Sequence, residues 1–234
     1  MPNTEEAIVL VGGLGTRLRA ELAGLPKPLA PVAGRPFLAY VLDQLAAAGL
    51  RRSILATGYL SEAIKDAIGG RWKGMEIAYS VEPQPLGTGG AVALAARSLQ
   101  GNCVHVANGD TYLRFSLAGL EEVVARTGSS LGLALAEVED VGRFGAVEVL
   151  DCKATNFLEK GGSGCGWINA GSYFLTPDAL GMFPDREVFS FEEHVLMPLA
   201  RQGRVAVLQD TTDFIDIGIP ADFRKAQHVF AGAV

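Results

Sequence analysis

Cysteine and histidine are both scarce, and neither is spaced for chemistry. The three cysteines, Cys103, Cys152 and Cys165, are odd in number and scattered. That excludes a disulfide framework and points to reduced thiols in a cytoplasmic protein. The three histidines, His105, His194 and His228, have no metal-ligand spacing with one another or with a cysteine, so no zinc site is expected. Positive charge is in deficit: 20 Lys and Arg face 26 Asp and Glu, a net charge of −6. A nucleic-acid binder with a basic face is therefore not expected. No apolar run approaches the ~20 residues that span a bilayer, and there is no basic amphipathic helix, so no membrane partner is expected. Met1 to Glu6 is short and polar, without the charged start and apolar core of a secretory signal. No Ser–His–Asp or Cys–His arrangement stands out.

What the chain does have is a glycine turn. Gly12-Gly13-Leu14-Gly15-Thr16-Arg17-Leu18 follows the apolar run Ala7 to Val11, which has the length and β-branched content of a buried strand. Glycines let a ligand approach the backbone, and N–H groups in such a turn can point together at an anion. Arg17 and the Lys27 of Pro26-Lys27-Pro28 add positive charge. The stretch reads as a loop that holds a nucleotide triphosphate. It is not a P-loop, because no Gly-Lys-Ser/Thr follows. It also misses the dinucleotide fingerprint: Leu18 stands where a third glycine belongs, and Ala56-Thr57-Gly58 stands where an acid belongs.

With 234 residues, 49% of them hydrophobic, the chain is long enough for one large α/β domain. No repeat, low-complexity run or linker divides it. Helices are predicted over Pro36 to Ala48, Ser61 to Ile68 with Ser61 as cap, and Thr88 to Leu99. They alternate with strands at Ser53 to Thr57, Met75 to Val81 and Cys103 to Ala107, implying a mostly parallel sheet. After a helix over Leu117 to Arg126, strand-like runs at Ser130 to Glu137, Gly145 to Leu150, Ala154 to Glu159 and Trp167 to Leu175 suggest a more antiparallel part. Phe191 to Arg201 reads as a helix that Pro198 would strain. Short strands at Val205 to Gln209 and Phe214 to Ile217 precede a last helix, Pro220 to Phe230. The expected organisation is a single domain over residues 1–234. A nucleotide half spans about 1–115, and a half for the second substrate spans about 116–234.

The candidate chemistry lies at strand ends, where open sheets bind ligands. Asp110 follows a strand and an Asn-Gly pair, and Asp216 ends a short apolar run. Two such carboxylates can share a hard divalent cation, although each alone reads equally as a turn or cap residue. Pro85-Leu86-Gly87-Thr88-Gly89-Gly90-Ala91 is a second glycine cluster at a helix start, suited either to a cap or to a base and ribose lying close to the backbone. Glu82 precedes it. A carboxylate only accepts, and guanine offers two adjacent donors on its Watson–Crick edge, so a Glu82 that reaches the base would favour guanine over uracil, and Glu82 reads equally as an ordinary exposed glutamate. Lys160 could hold a phosphate. Glu159, Asn169 and Glu192 could hold sugar hydroxyls, and each alone reads also as a surface residue.

Taken in order, Gly-Gly-Leu-Gly-Thr-Arg-Leu, Pro-Lys-Pro, Pro85 to Ala91, Gly109-Asp110, Glu159-Lys160, Asn169-Ala170-Gly171 and Asp216-Ile217-Gly218 resemble the sugar-1-phosphate nucleotidylyltransferases over nearly the whole chain. Asp216-Ile217-Gly218-Ile219-Pro220 and Pro85 to Gly90 are most similar to the D-glycero-α-D-manno-heptose 1-phosphate guanylyltransferase branch. The resemblance implies an α/β Rossmann-like three-layer fold, with a mostly parallel central mixed sheet and a smaller antiparallel sugar-binding part. It implies GMP transfer from GTP to the heptose 1-phosphate, with Mg²⁺ as cofactor and pyrophosphate as the other product. Mannose 1-phosphate with GTP, N-acetylmuramate 1-phosphate with UTP, and a non-catalytic nucleotide-binding subunit stand as alternatives. By the same resemblance Gly12, Gly13, Gly15 and Thr16 wrap the nucleotide, and Glu82, Gly87 and Thr88 face base and ribose. Arg17 neutralises the leaving phosphates, Lys27 meets the α-phosphate, and Asp110 and Asp216 hold the metal. Gly145, Glu159, Lys160, Asn169 and Glu192 face the sugar phosphate. A homodimer is expected by analogy.

Overall fold

The computed structural model describes residues 3–13, 22 and 24–231. Among these, the first part of the chain forms β1 (Glu6–Leu10), a short hairpin of β2 (Pro31–Val32) and β3 (Arg35–Pro36), α1 (Phe37–Ala47) and β4 (Arg52–Thr57). It continues through α2 (Ser61–Ile68), β5 (Arg71–Trp72), β6 (Met75–Val81), α3 (Gly87–Ala96) and β7 (Val104–Asn108). Next come β8 (Thr111–Phe115), α4 (Leu117–Thr127), β9 (Leu131–Val138), β10 (Val147–Leu150), β11 (Lys153–Phe157) and β12 (Gly166–Leu175). The chain ends through α5 (Pro177–Leu180), α6 (Met197–Arg201), β13 (Val205–Leu208), β14 (Thr211–Asp216) and α7 (Pro220–Ala231).

Ten strands form one mixed sheet in the order β10-β11-β13-β9-β12-β7-β1-β4-β6-β5. The run β7-β1-β4-β6 is parallel throughout. β12 joins it antiparallel to β7 and leads into the second half through β9, again antiparallel. The apolar residues of β1 serve two cores. Ala7 and Val9 pack with residues of α1, α2 and α7, while Ile8 packs with residues of α3 and α6. That is why the strand reads as a continuous apolar run rather than an alternating one. The three-layer α/β arrangement follows.

One local expectation is corrected and another gains detail. Ser61 opens α2 but does not cap it; Leu60 precedes the helix at φ +63 with no side-chain cap bond. The helix expected over Phe191 to Arg201 is unbroken, but it widens into a π turn, Glu192–Leu196, directly ahead of α6, so Pro198 stands inside a continuous helix just past the bulge. A π bulge is one of the ways a helix takes in a proline's missing N–H and bulky ring. A further element, β8, is not among the expected strands. It pairs antiparallel with β14 as a separate ribbon, with Asp216 opposite Thr111, and Ile217 donates its N–H to the carbonyl of Asp110 at 3.2 Å. This ribbon sets the two aspartates side by side. Among the described residues no helix is long and apolar enough to cross a membrane.

Candidate active site

The carboxyl ends of β1, β4, β6 and β7 open onto a cleft built from three adjoining cavities. One, of about 640 Å³, is lined by Gly12, Gly58, Tyr59, Glu82, Gly87 and Thr88. It shares Leu10 and Gly13 with a middle cavity of about 350 Å³ that holds Lys27, Asp110 and Asp216. The middle cavity shares Asn108, Thr111 and Asp216 with a third, of about 370 Å³, lined also by Gly145, Lys160, Asn169 and Glu192. The expected site residues thus divide into a mostly apolar end, a charged centre and a polar end. Gly15, Thr16 and Arg17 lie outside the described residues. Glu159 stands exposed after β11, and the polar end is lined by its neighbour Lys160 instead.

The centre is an ion cluster. Lys27 opens a 3₁₀ turn, Lys27–Leu29, stiffened by the fixed φ of Pro28. Its Nζ lies 2.5 Å from Asp110 Oδ2 and 3.6 Å from Asp216 Oδ1. Two carboxylates therefore converge on one cation. Among the described residues no group of three or more His, Cys, Asp and Glu could hold a metal. A pair of hard carboxylate donors fits Mg²⁺, which keeps waters and substrate phosphates as its remaining ligands. Asp216 is fixed further by the N–H of Gly218 at 2.7 Å. A second cation, Arg143, reaches Asp216 Oδ2 at 3.3 Å and Asp222 Oδ2 at 2.5 Å. Neither Arg143 nor Asp222 is singled out by the sequence. The only local signal was an arginine directly ahead of Phe144-Gly145, over whose ring the guanidinium lies at 4.4 Å.

At the apolar end, Glu82 turns one oxygen back on its own loop, where Oε2 accepts the N–H of Leu86 at 2.9 Å. Burial pushes the Glu82 carboxyl above its ordinary pKa, and that N–H partly opposes the rise. The glycine cluster that follows serves the fold as well as any ligand. The Phe189 carbonyl accepts the N–H groups of Gly89 and Gly90, and Thr88 Oγ1 accepts the N–H of Phe191 at 2.9 Å. A Cβ at Gly87, which has φ +72, would stand 2.6 Å from the Phe189 carbonyl oxygen. The amides of Gly89 and Gly90 in the first turn of α3 are thus engaged by Phe189 rather than held open for a ligand.

At the polar end a bulge in β12, between Asn169 and Ser172, aims Asn169 into the cleft. Asn169 Oδ1 accepts the N–H of Gly171, and its Nδ2 donates to Tyr173 Oη, both at 2.9 Å. The Tyr173 hydroxyl is driven far up by burial and next by the nearby Glu192, with the Asn169 bond opposing. The Glu192 carboxyl is itself held up by loss of water around it, opposed by Lys160. A cation, an amide and a carboxylate around a small polar cavity can grip a phosphorylated polyol.

A sequence profile of the nucleotidyl transferase family matches residues 6–231. A D-glycero-α-D-manno-heptose 1-phosphate guanylyltransferase of Aneurinibacillus thermoaerophilus is 40% identical over 222 residues, covering 95% of this chain and 96% of that protein. One from Campylobacter jejuni is 38% identical over 220 residues, covering 93% and 96%. The crystal structure of HddC from Yersinia pseudotuberculosis complexed with GMP-PN superposes with a TM-score of 0.82 at 33% identity, over 97% of this chain and 100% of that one.

Proposed function

This chain belongs to the nucleotidyl transferase family, and on that premise we propose that it transfers GMP from GTP to D-glycero-α-D-manno-heptose 1-phosphate, releasing pyrophosphate and giving GDP-heptose. The observation that carries the reading is the ion cluster of Lys27, Asp110 and Asp216 at the junction of the apolar and polar cavities. That junction is where an α-phosphate held from one side would meet a sugar phosphate held from the other. The 40% identity to a heptose 1-phosphate guanylyltransferase supports the choice of substrates.

The mechanism follows from charge. The attacking atom is a phosphate oxygen of the sugar 1-phosphate, already ionised at neutral pH because a phosphomonoester has a second pKa near ~6. It forms a new bond to the α-phosphorus as the bond from that phosphorus to the bridging oxygen breaks, and pyrophosphate leaves with the electron pair. No side chain needs to take a proton. The barrier lies in bringing two polyanions together and in line. Lys27 meets the α-phosphate, and Lys160 meets the sugar phosphate. Glu82 and the backbone around Gly12, Gly13 and Gly87 hold the guanosine, while Asn169, Glu192 and the turn at Gly145 hold the heptose. Asp110 and Asp216 would hold Mg²⁺, which supplies charge neutralisation on the phosphate oxygens when bound. The free thiols of Cys103, Cys152 and Cys165 accord with a cytoplasmic enzyme, and a homodimer is part of the same proposal by analogy.

The deciding experiment measures pyrophosphate release with GTP, UTP, dTTP and ATP, each against heptose, mannose and N-acetylmuramate 1-phosphates. GTP with the heptose phosphate should give the highest kcat/KM. A higher value for another pair overturns the substrate assignment, and no release with any pair overturns the enzymatic reading.

A further inference from the structure

Asp216 pairs with Lys27 and Arg143, and these two cations are held differently. Lys27 is shared with Asp110, so its charge belongs to the cluster. Arg143 is shared with Asp222, a residue in the first turn of α7 that lies outside the cleft lining. The same Arg143 nitrogen is 2.5 Å from Asp222 and 3.3 Å from Asp216. Asp222 is the nearer counterion, while the guanidinium's hydrogen bond goes to Asp216 Oδ2. The other faces of the guanidinium are fixed too: it lies over the Phe144 ring, and Arg143 closes the 3₁₀ turn Val141–Arg143. Arg143 already donates a hydrogen bond to Asp216 Oδ2, and Asp222 on its other side draws on the same nitrogen.

We propose that Asp222 is a positioning residue that shares the charge of Arg143 and so weakens its hold on Asp216 in favour of a divalent cation. The proposal rests on the reading of Asp110 and Asp216 as the metal-holding carboxylates. Asp222 also gives α7 a place in the chemistry. The same helix carries Gln227, which accepts the Ala33 N–H at 2.8 Å and donates to the Pro31 carbonyl at 2.7 Å. These bonds hold the hairpin that follows the Lys27 turn. One helix thus steadies the segments behind both Lys27 and Asp216.

The consequence has a sign that a packing role does not share. Without Asp222, the arginine loses its nearer partner and its whole charge falls to Asp216, where it competes with the metal. Removing the arginine as well removes the competitor. Mn²⁺ binding to the nucleotide-free enzyme, followed by electron paramagnetic resonance, reads this directly. Asp222→Asn should weaken Mn²⁺ binding about tenfold, the scale of a lost outer-shell partner. Arg143→Gln should not weaken it, and Arg143→Gln with Asp222→Asn should restore it. Asp222→Glu should bind as the parent does. Asp222→Ser serves in place of Asp222→Asn if the amide variant does not fold. Parent affinity in Asp222→Asn, or a double variant as weak as the single, overturns the proposal. Binding in the parent that survives Asp110→Asn with Asp216→Asn overturns instead the assignment of the metal to these aspartates.

Discussion

A Cβ at position 12 would stand 2.9 Å from Glu82 Oε1, so the glycine turn and this carboxylate meet only because residue 12 is glycine. The intruding atom would press on the tip of a flexible side chain, with the Gly58 nitrogen next nearest at 3.3 Å. Gly12→Ala should therefore displace Glu82 and leave the fold nearly intact. The expected outcome is a rise of roughly tenfold in KM for GTP, about 1.4 kcal/mol of lost binding, with the melting temperature almost unchanged. Steady-state kinetics beside a thermal melt checks both halves.

Lys27 and Asp110 hold each other at 2.5 Å, and neither role in the proposed reaction survives loss of the charge. Lys27→Ala and Asp110→Ala should each lower kcat by roughly a hundredfold or more, the scale of losing one electrostatic contact to a transition state. Unchanged turnover in either folded variant would remove that residue from the mechanism.

Gly90 sits inside α3, where alanine would ordinarily stabilise a helix by ~1 kcal/mol. Here a Cβ would overlap the Glu187 backbone carbonyl oxygen and the Leu86 side chain. Overpacking costs roughly 1–3 kcal/mol, and a backbone obstacle puts this site at the upper end. Gly90→Ala should be net destabilising by about 1–2 kcal/mol, lowering Tm by roughly 2–8 °C in a chain of this size. KM for the sugar phosphate should rise as well, because the displaced segment leads into Glu192. A stabilised variant would show that the segment yields freely.

The elements that were legible in the sequence are those whose burial is local to one run of residues. β1 and β7 read as apolar runs and β6 as an alternating one, matching its half-exposed burial, and α1 shows its buried stripe of Leu38, Val41, Leu42 and Leu45 directly. β8 was not legible. Thr111–Phe115 alternates poorly, and only its pairing with β14, far along the chain, makes it a strand. The site divides in the same way. Lys27, Asp110 and Asp216 stand in short motifs whose chemistry is local. Arg143 and Asp222 acquire meaning only through a contact between residues distant in sequence. Gly87, Gly89 and Gly90 looked like room for a ligand, and their tightest neighbours are the Phe189 carbonyl, the Phe189 ring and the Glu187 carbonyl in turn.

Glu82 sets a pH limit on nucleotide binding. Burial raises its pKa, so as pH falls the carboxyl takes up a proton sooner than an ordinary glutamate does. The protonated form offers guanine fewer acceptors, so KM for GTP should climb on the acid side, starting above the usual glutamate pKa of ~4.3. Glu82→Gln keeps an oxygen for the Leu86 N–H but lacks the second acceptor. It should raise KM for GTP roughly tenfold and flatten this acid limb, with no loss of thermal stability. An acid limb that persists in Glu82→Gln assigns it to another group.

Glu121 should govern acid stability at the opposite side of β7. Its carboxylate is buried, which alone would raise its pKa. Bonds from His105 at 2.9 Å, the Asn3 N–H at 2.6 Å and the Thr4 N–H at 3.2 Å hold it below the ordinary value instead. A carboxyl with a depressed folded pKa contributes stability that is fully present above its unfolded pKa and is lost as pH falls through the folded one. Glu121→Gln leaves buried donors poorly matched and should cost roughly 1–3 kcal/mol at neutral pH, a fall of roughly 2–12 °C in Tm. That gap should hold down to the usual glutamate range near pH ~4.3 and close below it, as the parent carboxylate takes up its own proton. Thermal melts of parent and variant across that range decide the matter, since a gap that stays constant into acid would mean that shape rather than charge at residue 121 stabilises the fold.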